Sequence, residues 1–226
     1  MLAAVQPLVE DPRARRISVN FERFDRHAKK AEGALAAGDL SSAAAYASAA
    51  AGFAVDNHCG LFSSARLERV LTTIGKLSEG DTGAPRPLPT SVKRVLHVST
   101  QVFPIGGHSK MIRLWIESDP TRQHSLALTQ QRGTIPAELE ACVLNQGGDI
   151  HCRLNRIPGG VLASANALRR IASSYDMIVL HTGNSDVVPS IAFAVTEKYP
   201  PVFFLNHADH LFWIGSSIAQ IVWRHA

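Results

Sequence analysis

Polar residues of the kinds that bind ligands or move protons gather at three places in this sequence, each where an apolar run stops. "STQVFPIGGHSK" holds Gly106, Gly107 and His108, "HTGNSD" holds His181, Asn184 and Asp186, and "NHADH" holds Asn206, His207, Asp209 and His210. Imidazoles beside carboxylates suit hydrogen bonding to hydroxyl groups, or proton transfer near neutral pH. Two glycines ahead of a helix let the backbone approach a ligand closely, and the helix start offers unpaired N–H groups to an anion such as a diphosphate. Each cluster also has a plainer explanation. "IGGHSK" matches neither the dinucleotide-binding nor the P-loop glycine pattern and can be a tight turn alone. Asp186 can cap a helix starting near Val187, Asn184 can shape the turn before it, and His181 can be a half-buried histidine bonded to a loop carbonyl.

The elements that must position these residues follow from the texture after Ser91. "KRVLHVST", "HSLALTQ", "DIHCRL", "DMIVLHT" and "PVFFLNHADH" have the apolar runs of strands. Between them "GGHSKMIRLWIES", "PAELEACVLNQ", "VLASANALRRIASS" and "VVPSIAFAVTEKY" have helical spacing. Regular alternation of strand and helix predicts an α/β fold, a Rossmann-like parallel sheet with helices on both faces. In such a sheet the carboxyl ends of the strands share one edge, where ligands bind. The three polar clusters should therefore face one crevice.

Residues 21–79 differ in character. "FERFDRHAKKAEGALAAGDLSSAAAYASAAAGFAV" is alanine-rich, and Gly38-Asp39 interrupts it as a helix-turn-helix junction would. The pattern resembles one tetratricopeptide-type helical pair. Ser63 or Ser64 can cap a third helix, "ARLERVLTTIGKLSE". The expected organisation is a flexible tail over 1–20, a small all-α unit of three helices over 21–79, a Pro/Gly linker over 80–92, and the Rossmann-like domain over 93–226. "GDTGAPRPLPT" marks the boundary, because its prolines continue neither a helix nor a central strand.

Composition narrows the function classes. The net charge is +4 and the basic excess lies mainly in the first thirty residues, which argues against a broad nucleic-acid-binding face. Cys59, Cys142 and Cys152 are odd in number and lack C-x-x-C spacing, so neither a disulfide framework nor a zinc knuckle is indicated. A cytoplasmic protein is expected, with peripheral contact at the inner membrane face kept open. "HADH" matches the tail of the H-x-H-x-D-H pattern of metallo-β-lactamase-type hydrolases, but Leu205 stands where the first histidine belongs. No metal is expected.

"VLHVSTQVFPIGGHSKMIRLW", "DMIVLHTGNSDVVPSIAF" and "PVFFLNHADHLFWIGSSIAQIV", in that order, resemble the amino-terminal half of a retaining glycosyltransferase of the two-Rossmann-domain (GT-B) type, close to family 4. The similarity covers about residues 93–223. It implies that Gly106, Gly107 and His108 form the loop nearest the donor diphosphate, and that His181 acts catalytically beside the transferring sugar. It further implies that Asn184, Asp186, Asn206, His207, Asp209 and His210 line the acceptor side of the cleft. Many relatives carry H-x-H at the fourth strand, where this chain has Gly183 at the second position.

The function expected on this resemblance is hexose transfer from a nucleoside diphosphate sugar to a glycan or polysaccharide acceptor, in polysaccharide biosynthesis. The chain would supply the acceptor side and no cofactor of its own. A carboxyl-terminal donor-binding domain would come in cis or in trans, so the sequence reads as a fragment, a naturally shortened product or one component of a split enzyme. The alternatives are a non-catalytic glycan- or protein-binding module and, behind it, a metal-dependent hydrolase. Phe212 and Trp213 are equally open to starting the wall of the sugar-binding cleft or being helix-packing residues.

Overall fold

The computed structural model describes residues 11–79, 85–208 and 210–224. Helix α1 runs from Pro12 to Ala36, where a flexible tail was expected up to residue 20. Its start is set by Asp11, whose carboxylate accepts from the Arg13 N–H at 2.9 Å, and by Pro12, whose fixed φ suits the first helical turn. This cap precedes the first apolar repeat, which is why periodicity alone places the start too late. Gly38 turns the chain in the left-handed region (φ 77°), and Asp39 caps α2, Leu40–Asp56, by accepting from the Ser42 N–H. In α2 the alanines Ala43, Ala44, Ala47, Ala50, Ala51 and Ala54 are buried, and such small side chains let neighbouring helices come close. Helix α3, Ala65–Glu79, is capped by Ser64, whose Oγ accepts from the Leu67 N–H at 3.3 Å.

The sheet has six parallel strands among the described residues, in the order β3-β2-β1-β4-β5-β6. They are β1 Arg94–Ser99, β2 Gln123–Leu128, β3 Ile150–His151, β4 Met177–His181, β5 Val202–Asn206 and β6 Ile221–Arg224. This is the doubly wound order, with its switch point between β1 and β4. Helices α4 (Gly107–Ser118) and α5 (Ala137–Asn145) pack over one face, on a core of Ile112, Ile116, Leu126, Leu128, Leu139 and Val143. Helices α6 (Gly160–Ala172) and α7 (Val187–Ala192) pack on the other, and their core runs without a break into α1, α2 and α3. The helical unit therefore shares its apolar interior with the sheet.

Three expected elements differ. A single helix over 187–199 was expected, yet α7 stops at Ala192 and only a 3₁₀ turn, Thr196–Lys198, follows. The buried Arg169 guanidinium ends it by donating to the Ile191 and Ala192 carbonyls at 2.8 and 3.0 Å, and also to the Gly75 carbonyl of α3 at 2.8 Å. The third strand is two residues long instead of six, because the chain enters a 3₁₀ turn at Leu154. β6 was not expected. Its connection from β5 contains no α-helix, so the strand-helix rhythm gives no warning of it. Phe212, Trp213, Ile214 and Ile218 from that connection are buried in a helix's place.

Beside the Arg169 bond to α3, Glu68 and Gly75 help fasten the helical unit to its neighbour. Glu68 of α3 is buried, and its carboxylate accepts from the Gly215 N–H at 2.6 Å, the Ser216 N–H at 3.1 Å and the hydroxyls of Ser216 and Ser217. Gly75 lies against α7: a Cβ there would stand 2.3 Å from Ala194 Cβ and 2.5 Å from the Ile191 carbonyl oxygen. Gly75→Ala should therefore lower stability by about 1–3 kcal/mol, the usual range for overpacking, despite alanine's better helix propensity. A denaturant midpoint equal to the wild type's would contradict this close approach.

Candidate functional site

The most distinctive chemistry lies in a diagonal row of histidines on the α4 face of the sheet. His124 sits in β2, His97 in β1, His181 at the end of β4 and His207 just past β5. In the strand register His124 stands opposite Val95, two residues before His97, and His181 stands opposite Ser99, two residues after it. Continuing the β4–β5 register places Leu205 opposite His181, so His207 lies two residues further again. Because side chains alternate with period 2, steps of two keep all four rings on one face, and diagonal neighbours of this length can reach one another.

They do touch. His97 Nε2 is 3.0 Å from His124 Nδ1, and His97 Nδ1 is 3.0 Å from His181 Nε2. At the far end His124 Nε2 is 3.1 Å from the Asp119 carbonyl oxygen and 3.4 Å from its carboxylate. The His181 and His207 rings stack at 6.2 Å, and His207 meets His108, from the first turn of α4, at 4.3 Å between centroids. Trp115 of α4 stands edge-on to both His97 and His181, at 5.7 and 6.2 Å.

Burial decides the charge of this row. His97, His124 and His181 have no exposed surface. Water cannot solvate an imidazolium there, so the pKa of His97 falls to about 3 and that of His181 falls well below the usual histidine value, helped by the neighbouring imidazoles. Burial also lowers His124 and His108, with Asp119 opposing the shift at His124. His97, His124 and His181 are therefore neutral at pH 7 and act through hydrogen bonds.

Of the residues expected from the sequence, His108, His181 and His207 come together, beside Gly106 and Gly107 at the switch point between β1 and β4. A Cβ on Gly107 would meet nothing within 4 Å, so packing does not demand glycine at that position. The others hold the frame. Asp186 is buried at 4 % exposure, accepts from the hydroxyls of Thr100 and Thr129 and from the Val188 N–H, and so ties the ends of β1, β2 and β4 to α7. Its pKa is raised by burial, against the pull of those donors. Asn184 donates to the Ala208 and Phe212 carbonyls and holds the segment after β5. Asn206 Oδ1 accepts from the Ala208 N–H, while its buried Nδ2 meets no hydrogen-bond partner among the described residues. His210 is exposed, and Asp209 lies outside the described residues.

Phe212 and Trp213 are packing residues. Phe212 is 2 % exposed with its ring 5.7 Å from Phe24 of α1, and Trp213 packs at 5.5 Å on Phe204. A cavity of about 340 Å³ lies instead on the α4 face beyond the row, lined by Met111, Trp115, Phe203, Leu205, His207 and Trp223. Trp115 and His207 belong to both the cavity wall and the histidine row. His97 and His124 were missed as site residues, although "VLHVS" and "QHSLAL" carry the signal: a polar residue inside an apolar strand must have a buried partner.

Among the described residues no three His, Cys, Asp or Glu side chains converge as a metal site requires. None of the described helices is long and apolar enough to cross a membrane. No protein-family model and no curated protein sequence matches the chain.

Proposed function

We propose that this chain is the acceptor-side half of a retaining sugar transferase, working with a donor-binding domain supplied in cis or in trans. The reaction would move a hexose from a nucleoside diphosphate sugar to a glycan or polysaccharide acceptor at the cytoplasmic side. The observation that carries the reading is the convergence of His108, His181 and His207 beside Gly106-Gly107, at the switch point of a doubly wound sheet. Neutral imidazoles bond hydroxyls, and the start of α4 offers N–H groups to an anion. A sugar diphosphate presents both kinds of group.

The burial of the row divides the labour. His181 is uncharged and does not offset the charge of a departing diphosphate; that falls to the amides at the start of α4, aimed at charge developing in the transition state. His181 orients the sugar through a hydroxyl. Since its ring has no exposed surface, a ligand reaches it where the half-buried His108–His207 pair gives way.

Gly107→Ala tests the anion role without disturbing the fold, since the added methyl meets no atom. In the complete enzyme the KM for the nucleoside diphosphate sugar should rise on the order of tenfold, equivalent to about 1.4 kcal/mol, with an unchanged unfolding midpoint. An unchanged KM would remove the glycine loop from the donor site. The apolar cavity favours the second reading, a non-catalytic glycan- or protein-binding module, because Trp223 stays 64 % exposed at its rim.

A further inference from the structure

The histidine row has a direction, set at its far end. His124 Nε2 faces the Asp119 carbonyl oxygen at 3.1 Å, and a carbonyl oxygen only accepts hydrogen bonds. The proton of His124 therefore sits on Nε2. With that ring neutral its Nδ1 is bare, so His97 Nε2, 3.0 Å away, must donate to it. His97 Nδ1 is then bare in turn, and His181 Nε2, also at 3.0 Å, must donate. Each ring passes the constraint to the next. At the end stands His181 Nδ1, a lone pair that is buried and has no hydrogen-bond partner among the described residues.

We infer that His97 and His124 are positioning residues that hold His181 in its Nε2–H tautomer, so that the site offers a buried lone pair to a hydrogen-bond donor. Such an atom takes a hydroxyl or an amide N–H and refuses an acceptor-only group such as a phosphate oxygen, because leaving two lone pairs facing each other in a dry site is costly. Only the identity of that donor as a sugar hydroxyl rests on the proposed sugar transfer; the tautomer itself does not.

The direction depends on neutral rings. If His124 took a second proton, its Nδ1–H would donate to His97, His97 would donate to His181, and His181 Nδ1 would become a donor. Asp119 favours that state, whereas burial and the nearby Arg122 disfavour it and prevail. Among the described residues no carboxylate favours the charged forms of His97 and His181.

Long-range ¹H–¹⁵N NMR of the full chain with labelled histidines reads each tautomer directly. At pH 7.5 His97, His124 and His181 should each show one protonated Nε2 and one bare Nδ1. A proton on His181 Nδ1, or an average of both tautomers, would overturn the inference. His124→Phe removes the acceptor for His97 Nε2 and should release His181 into a mixture of tautomers. His124→Gln, whose amide can donate to Asp119 and accept from His97, should restore the single form. A His181 spectrum unmoved by His124→Phe would end the positioning role, and if that variant does not fold, the wild-type spectrum still decides. Loss of sugar transfer as an activity, with these spectra as expected, would remove only the proposed function.

Discussion

Acidification from pH 7.5 to 5 should cost this protein roughly 2–4 kcal/mol of folding stability, a large share of the 5–15 kcal/mol that a domain usually has. His97 and His181 are held neutral in the native state, while in the unfolded chain they titrate near their model value of 6.5. Below that pH the unfolded chain binds more protons, so stability falls as pH falls, by about 1.4 kcal/mol per pH unit for each such group. The stabilising effect is complete above about pH 7.5 and is lost progressively below 6.5. For His97 the loss continues down to a folded pKa of about 3. Asp186 opposes it, since its raised folded pKa favours the native state as protons are added. His97 and His181, joined by His108 and His124, whose pKa values burial also lowers, outweigh the one aspartate. Urea midpoints between pH 7.5 and 5 check this; a midpoint that holds level or rises on acidification would mean that the row is charged or solvated.

The largest functional effect is expected from His181→Phe in the complete enzyme. Phenylalanine fills a similar volume in the same apolar surroundings but accepts no hydrogen bond. The kcat for sugar transfer should fall on the order of 10²-fold, the loss expected when a contact that orients the reacting sugar is removed. The variant leaves His97 Nδ1 without its donor, which costs about 1–3 kcal/mol of stability. Assays belong well below the unfolding temperature, with circular dichroism confirming that the protein is folded. His97→Phe should lose activity less steeply, because it acts through the tautomer of His181 and leaves that ring in place.

Much of the fold is legible in local sequence. Strand-helix alternation after Ser91 defines five strands and the parallel sheet, and Gly38-Asp39 and Ser64 mark helix boundaries by their caps. What stays hidden is set by contacts distant in sequence. α7 ends where Arg169 captures its last carbonyls, a partner some twenty residues away. β6 is a short run, Ile221–Arg224, that is a strand only because β5 lies beside it.

The site divides in the same way. The clusters at the strand ends are visible because polar residues interrupt apolar runs, and His108, His181 and His207 do meet. The row behind them depends on the register of β2, β1, β4 and β5, and no local pattern specifies register between strands that are not consecutive. Asp186 and Asn184 show what residue type alone leaves out. Their types suit a cleft, yet their bonds to Thr100, Thr129, Ala208 and Phe212 make them braces of the frame.

One assay tests whether the His108–His181–His207 convergence serves sugar transfer. The complete enzyme, with its donor-binding domain, is incubated with isotope-labelled nucleoside diphosphate hexoses and a glycan acceptor, and incorporation is compared with that of His181→Phe. Labelled glycan is expected from at least one donor with the wild type, and on the order of 10²-fold less with the folded variant. No incorporation from any nucleoside diphosphate hexose, or equal incorporation by both proteins, would contradict it.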